Sequence, residues 1–137
     1  MGTTENKSLL QHVFAETAKG NGRPFVDALA DDVKWRIIGT TGWSRTYSGK
    51  SAVLKELLSP LNAQLEGANT IVASRFIAED DMVVVEGRGK NKTRTGQPYD
   101  NEYCWVIRMS EGKMAEITEY TDTHLIELAL SAPTAAR

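Results

Sequence analysis

The second half of the chain alternates apolar and polar residues through four consecutive segments, and this pattern constrains the fold more than any other feature. The stretch NTIVASRFIAEDDMVVVEGRGKN contains two of the segments, and YDNEYCWVIRM and MAEITEYTD follow it. A period of two is typical of strands with one buried face. The acidic turn Glu79-Asp80-Asp81 and the short joins RTGQP and SEGK separate the segments. Short joins connect antiparallel neighbours, so the sequence predicts an antiparallel meander.

Helical spacing governs the beginning of the chain instead. The apolar face of the first predicted helix consists of Leu9, Leu10, Val13, Phe14 and Thr17. Thr4 is a suitable N-cap for this helix, and Gly20 is a suitable stop signal. Pro24 favours the first turn of a short second helix, which we expect to extend to Leu29.

One strand and one longer helix complete the first half. VKWRIIG alternates as a strand should, and TTGWSRTYSG is predicted to be a loop because it is rich in Gly, Ser and Thr. A third helix begins near Ser51, and Pro60 should kink or divide it. Helices followed by strands indicate a single α+β domain, residues 1–137, with an ordered core of about 7–130 and helices covering one face of the sheet.

Composition excludes several classes of protein. With 137 residues, of which 41% are apolar, the chain can build one core without cross-links. A net charge of −2 argues against a nucleic-acid or basic membrane surface. No apolar run approaches the roughly 20 residues of a membrane span, and the N-terminus lacks the apolar stretch of a signal peptide. The lone Cys104 cannot form an internal disulfide. We therefore expect a cytoplasmic protein without a nucleic-acid or membrane partner.

Glu119 is the unusual residue of the last predicted strand. Alternation through EITEYTD places it on the same face as the isoleucine two residues earlier, which is predicted to be buried. Apolar surroundings raise the pKa of a carboxyl group toward the range useful for acid–base catalysis. Asn101 and Tyr103, on the neighbouring strand, are possible hydrogen-bond partners. Two structural alternatives remain: an ion pair with Arg36 or Arg108, or an inverted register that leaves Glu119 in solvent.

Three stretches together resemble a known family: FVDALADDVKWRIIG, YSGKSAVLKELL and YDNEYCWVIRMSEGKMAEITEYTDT. From about Leu9 to Leu130 the chain is similar to the ketosteroid-isomerase-like superfamily, which shares the fold of nuclear transport factor 2, and within it to the SnoaL-like (polyketide cyclase-like) branch. The resemblance implies a cone-shaped α+β roll of the cystatin-like kind, in which a strongly curved, mostly antiparallel sheet wraps around N-terminal helices. It also implies an apolar pocket and a homodimer formed through the convex face of the sheet.

The implied pocket would bind a small hydrophobic organic ligand. Alternation within this fold assigns the ligand-binding residues Trp35, Ile37, Val85, Trp105 and Ile117 to the concave face, with Trp43 as a lid and Val13 contributed by the first helix. Aromatic walls with few polar groups suit a flat, mostly apolar molecule.

The resemblance also bears on the chemistry. The tyrosine and the two aspartates of the steroid isomerases fall on Val13, Ile37 and Trp105, which cannot transfer protons, so this chain is not expected to be a steroid isomerase. In the cyclase branch an acid from the C-terminal strand serves as acid and base. This implies that Glu119 is catalytic, with Tyr103 and Asn101 holding an oxyanion. The predicted function is a cofactor-independent and metal-independent isomerase or cyclase acting on a hydrophobic carbonyl compound. The alternative is a non-catalytic binding protein that uses the same pocket.

Two further acidic positions have structural interpretations. Glu86 and Arg88 resemble the spacing found in epoxide-hydrolase relatives, but they point outward if the valines at 83 and 85 point inward. A cross-strand pair or a pair at a dimer interface is then expected for them. Asp122 is predicted to cap the last helix, which starts near Thr123.

Overall fold

The computed structural model describes residues 2–133. Its helical segments are α1 (Thr3–Thr17), α2 (Arg23–Asp27), α3 (Lys50–Ala52), a π-helical segment (Val53–Leu58), α4 (Ser59–Gln64) and α5 (Thr123–Ala129). The strands are β1 (Leu29–Ile37), β2 (Thr46–Ser48), β3 (Ile71–Glu79), β4 (Met82–Gly89), β5 (Glu102–Ser110) and β6 (Lys113–Thr121). The α+β class is confirmed. Residues 1 and 134–137 of the predicted domain lie outside the described residues.

The strands of residues 2–133 form one six-stranded sheet in the order β2-β1-β6-β5-β4-β3. Strands β3 to β6 form the predicted antiparallel meander. Strand β1 runs parallel to β6, with Trp35 beside Ile117 and Ile37 beside Glu119. The first strand of the chain therefore pairs with the last. The sheet is mixed, curved and unclosed, which confirms the expected cone-shaped architecture.

Tight turns set the register of the meander. Asp80, between β3 and β4, has a φ of 53°, and Glu111, between β5 and β6, has a φ of 50°. Gly112 follows with a φ of 75°. Positive φ angles at a turn match the right-handed twist of the strands on either side. These turns therefore fix the register within the β3–β4 pair and within the β5–β6 pair.

The first half departs from the sequence prediction in three places. Leu29 belongs to β1 rather than to α2, because its backbone pairs with Met114 of β6. The predicted loop contains β2, which pairs with β1 through contacts such as Trp35 with Tyr47. Three residues are too few to display a period, so only the pairing reveals this strand. Thr4 is not the N-cap, since α1 starts after Gly2 and has no side-chain cap.

Pro60 and Asp122 have the effects on the helices that the sequence predicted. The helical region from Lys50 onward is divided near Pro60, where the π-helical segment gives way to α4. Proline has no N–H to donate to the preceding turn, and a wider turn before it relieves the clash of its ring. At α5, the Asp122 carboxylate accepts hydrogen bonds from the backbone N–H groups of His124, at 3.0 Å, and Leu125, at 3.3 Å.

The core lies between the helices and the concave face of the sheet. Helix α1 packs against β3 and buries Leu10, Val13, Phe14 and Thr17, which are four of the five residues of its predicted apolar face. Along β5 the buried positions are Tyr103, every second residue after it, and no others. Within residues 2–133 we find no helix with the length and apolar character needed to cross a bilayer.

Candidate functional site

A cavity of about 540 Å³ lies between the helices and the sheet. Its aromatic lining residues are Phe14, Phe25, Trp35, Trp43, Tyr99, Tyr103 and Trp105. The exposed residues Arg23, Asp27 and Asn62 also line it, so its mouth lies between α2 and α4. A cavity of this size and composition suits a flat, largely apolar small molecule.

Glu119 lies on the wall of this cavity, near the end of β6, and is 7% exposed. The residue directly opposite on β5 is Trp105, whose indole Nε1–H donates a hydrogen bond of 2.8 Å to Oε1 of Glu119. Burial removes the carboxyl group from water and raises its pKa to about 7, although hydrogen bonding to Trp105 and the proximity of the Trp35 indole act in the opposite direction. The group therefore exchanges a proton near neutral pH.

Neither structural alternative for Glu119 holds. Arg108 forms its ion pair with Glu116, on the opposite face of β6. Arg36 is exposed on the outer face of β1. No ion pair involves Glu119 within the described part of the chain, and the register directs its side chain into the cavity rather than into solvent. Among residues 2–133 the carboxyl group therefore has no cationic partner that would lower its pKa.

Two tyrosines line the same end of the cavity. Tyr103 stacks on Trp105 with ring centroids 4.5 Å apart and an angle of 10° between the planes. Burial raises the pKa of the Tyr103 hydroxyl well above its ordinary value, and the neighbouring Tyr99 and Glu119 add to the effect. Burial likewise raises the pKa of Tyr99. Both hydroxyls therefore keep their protons at neutral pH and remain able to donate hydrogen bonds.

The side chain of Asn101 lies within a network of hydrogen bonds in the protein interior. It is fully buried and does not line the cavity. Its amide nitrogen donates to the Tyr99 hydroxyl, at 3.3 Å, and to the Asp122 carbonyl, at 3.2 Å. Its amide oxygen accepts from the backbone N–H groups of Glu102, at 2.8 Å, and Asp122, at 3.3 Å. Its hydrogen-bonding capacity is used within the protein, and its role in holding an oxyanion stays a prediction from the sequence.

The predicted ligand-binding residues divide into two groups. Trp35, Ile37, Trp43 and Trp105 line the cavity. Val85, Ile117 and Val13 are no more than 1% exposed and do not line it, and their contact with a ligand stays a prediction from the sequence. In the sheet Val85 lies beside Trp105 and Ile117 beside Trp35, and the larger indoles form the wall in their place.

Several lining residues were not predicted from the sequence. The helices contribute Leu57, Leu58, Leu61 and Ile126, and the segment after α5 contributes Leu130. Leu57 with Leu61, and Ile126 with Leu130, show the spacing of one helical face, which was the available signal. That spacing identifies a buried face but does not distinguish a cavity wall from the packed core.

The remaining candidate residues lie outside the cavity. Glu86 forms an ion pair of 3.1 Å with Arg75 on β3, which confirms the expected cross-strand pair, and Arg88 is exposed. Neither residue lines the cavity. Among residues 2–133, no three or more His, Cys, Asp or Glu side chains are grouped as a metal ion would require.

Solved structures similar to this chain share its fold. A NTF2-like protein from Burkholderia xenovorans LB400 is 24% identical over 96% of this chain and 99% of that chain, with a TM-score of 0.72. A putative SnoaL-like polyketide cyclase from Jannaschia sp. CCS1 is 16% identical over 96% of this chain and 94% of that chain, with a TM-score of 0.74. TerC, co-crystallised with polyporic acid, is 21% identical over 90% and 96%, with a TM-score of 0.75.

The family assignment comes from the sequence itself. No curated protein matches the chain. The family model of the SnoaL-like domain, however, matches residues 10–117, which include all of β1 to β5 and most of β6. This match means that the chain belongs to the SnoaL-like domain family, and its fold is that of the NTF2-like structures named above.

Proposed function

We propose that this protein is a cofactor-independent enzyme of the isomerase or cyclase type, which transfers a proton on a small hydrophobic carbonyl compound bound in the cavity. One observation supports this most strongly. The carboxyl group of Glu119 faces an aromatic cavity without a cationic partner, and its pKa is about 7. Acids and bases are most effective when their pKa lies near the working pH.

The mechanism uses two side chains. The Glu119 carboxylate removes the proton from the carbon next to the carbonyl group, and the electron pair of that C–H bond moves into the enolate. The Tyr103 hydroxyl donates a hydrogen bond to the enolate oxygen. The enolate then takes the proton back from Glu119 at another carbon of its conjugated system. Alternatively it attacks a second carbonyl carbon of the same molecule to close a ring; the electron pair of that C=O bond moves to its oxygen, which takes the proton from Glu119. Asn101 has no part in this mechanism because its hydrogen bonds are already made.

A non-catalytic binding protein is the second candidate. The positions that correspond to the proton-transferring residues of the steroid isomerases are Val13, Ile37 and Trp105. Their apolar side chains favour a site that holds a ligand without reacting with it. TerC, which was co-crystallised with polyporic acid, supports a small-molecule ligand in either case.

The proposal also includes the oligomeric state of the protein and its location in the cell. It acts as a homodimer through the outer face of the sheet, where Val84, Cys104 and Val106 are partly exposed. Apolar surface of this kind on a sheet favours pairing with a second copy. It acts in the cytoplasm, where a single unpaired cysteine remains reduced.

Proton exchange into a simple ketone tests the enzymatic function. β-Tetralone combines a flat aromatic ring with an acidic C–H group next to a carbonyl, and NMR in D₂O follows the loss of that proton. We expect the wild-type protein to accelerate exchange above the buffer rate, with kcat/KM rising with pH around a midpoint near 7, because the carboxylate is the base. The variant Glu119→Gln should show only the buffer rate.

The matched control is Glu116→Gln, which makes the same substitution on the outer face of the same strand. It should retain the wild-type exchange rate. If β-tetralone binds but Glu119→Gln exchanges its proton as fast as the wild type, Glu119 is not the base. If β-tetralone binds without any acceleration by the wild type, the binding protein is the better assignment.

A further inference from the structure

Two indoles flank the Glu119 carboxyl group on the concave face of the sheet. Trp105 lies directly opposite on β5. On the other side, Ile37 of β1 lies beside Glu119, and Trp35 lies beside Ile117, one residue pair away on the same face. The sheet thus places one indole on each neighbouring strand. Both line the cavity together with Glu119.

The two indole N–H groups differ in their hydrogen bonding. Trp105 Nε1–H donates to Oε1 of Glu119 at 2.8 Å. Within residues 2–133, Trp35 Nε1–H is buried and makes no hydrogen bond of ordinary length and angle, although it is close enough to Glu119 to lower the pKa of the carboxyl group. A buried donor without a partner costs about 1–3 kcal/mol, and such groups are rare in folded proteins. The free donor beside an ionisable carboxyl group therefore needs a physical explanation.

We propose that Trp35 is a positioning residue for Glu119: its indole N–H donates to the carboxylate when Glu119 is ionised and loses that bond when Glu119 is protonated. This rests on the proposed function, in which Glu119 alternates between the two forms. A carboxylate has two accepting oxygens, whereas a protonated carboxyl group uses one of them as a donor. A hydrogen bond made only to the charged form stabilises that form. The two indoles together hold the base in one orientation toward the substrate.

The other groups around Glu119 do not provide this stabilisation. Tyr47 of β2, Tyr99 before β5 and Tyr103 of β5 are the titratable neighbours, and burial raises the pKa of each above its ordinary value. All three stay neutral while Glu119 titrates. The Tyr47 hydroxyl donates to the Trp43 carbonyl at 2.8 Å, and among residues 2–133 no hydrogen bond joins Tyr99 or Tyr103 to Glu119. Arg23 and Asp27 of α2 are exposed at the cavity mouth. The indole donors are therefore the groups that respond to the charge on Glu119.

The first test compares the pKa of Glu119 in two tryptophan variants, measured by carbon-detected NMR with Glu119→Gln to assign the signal. Trp35→Phe should make Glu119 roughly a tenfold weaker acid, since hydrogen bonds to charged groups contribute about that much. Trp43→Phe is the matched control: it also removes an indole from the cavity wall, but its Nε1–H donates to the Ser131 carbonyl at 3.1 Å. It should leave the pKa of Glu119 unchanged. An unchanged pKa in Trp35→Phe would overturn the proposal.

The second test needs no tryptophan variant, so it decides the question even if Trp35→Phe does not fold. The indole ¹H–¹⁵N signal of Trp35 should move downfield as pH rises, with the same midpoint as the Glu119 carboxyl signal. In Glu119→Gln it should not move over that range. A Trp35 signal that ignores pH in the wild type, or that still titrates in Glu119→Gln, contradicts the proposal.

Catalysis provides a separate readout. In the β-tetralone assay, Trp35→Phe should shift the pH midpoint of kcat/KM upward by the same amount as the pKa of Glu119. A purely structural role would lower the rate without moving the midpoint. The NMR titrations use no substrate, so a Trp35 signal that follows Glu119 in a protein that exchanges no proton would overturn the proposed function and leave the contact between Trp35 and Glu119 standing. An active enzyme with a silent Trp35 signal would do the reverse.

Discussion

A buried carboxyl group is costly to fold, and Glu119 shows how a small domain tolerates one. Charge in an apolar interior is unfavourable unless it is paired or hydrogen-bonded, and without such a partner the group prefers to keep its proton. Glu119 has one indole donor and no cation, so it stays protonated to about pH 7. The folded protein thus holds a proton that the unfolded chain would release.

This difference predicts a pH-dependent stability. The pKa of Glu119 rises from 4.5 when the chain is unfolded to about 7 when it is folded. Below pH 4.5 Glu119 is protonated in both the folded and the unfolded state, so it contributes no pH dependence to the free energy of unfolding there. As pH rises from 4.5 through 7, only the unfolded state gains by losing its proton, and the free energy of unfolding should fall by about 3 kcal/mol. Urea unfolding across this range measures it.

Glu119→Gln provides the comparison, because an amide does not titrate. The difference in free energy of unfolding between wild type and Glu119→Gln should change across the same pH window. A wild type and Glu119→Gln that keep a constant difference from acid to neutral pH would show that folding does not raise the pKa of Glu119.

At the scale of elements, Asn101 joins three parts of the fold where they meet. Through its amide it connects the start of β5, the residue that caps α5, and Tyr99 of the preceding segment. Asn101→Ala leaves the N–H groups of Glu102 and Asp122 without this partner. We expect a loss of at least about 2 kcal/mol in the free energy of unfolding, measured by urea denaturation.

The same variant separates a structural role from the catalytic one that the sequence indicated. Where Asn101→Ala remains folded, the β-tetralone exchange rate per folded molecule should stay near the wild-type value, because the side chain does not reach the cavity. A variant of wild-type stability with strongly reduced exchange would restore Asn101 to the oxyanion site.

At the scale of the whole molecule, the outer face of the sheet determines the assembly that we propose. Ile77, Val84 and Val106 are paired across β3, β4 and β5 and form a continuous apolar row. Ile77 is 52% exposed. We expect sedimentation equilibrium to give twice the monomer mass for the wild type. Val106→Arg should give a monomer, because it would bury an unpaired charge between the two copies.

Ser8→Arg is the matched control, since it adds the same charge at an exposed position of α1, away from the sheet. It should remain a dimer. A wild type that sediments as a monomer at all concentrations, or a Val106→Arg variant that stays dimeric, would exclude this face as the interface.

The sequence alone determined the elements whose signal is local. Alternation with tight turns predicted the meander of β3 to β6 and directed Glu119 inward, because a strand has only two faces. The tertiary structure decided what depends on contacts between distant residues. It made β2 a strand by pairing it with β1, and it used the side-chain amide of Asn101 for hydrogen bonds that link β5 to the start of α5. It also placed indoles beside Val85 and Ile117, and these indoles line the cavity instead, since a sequence shows which face is buried but not which side chains reach a cavity above it.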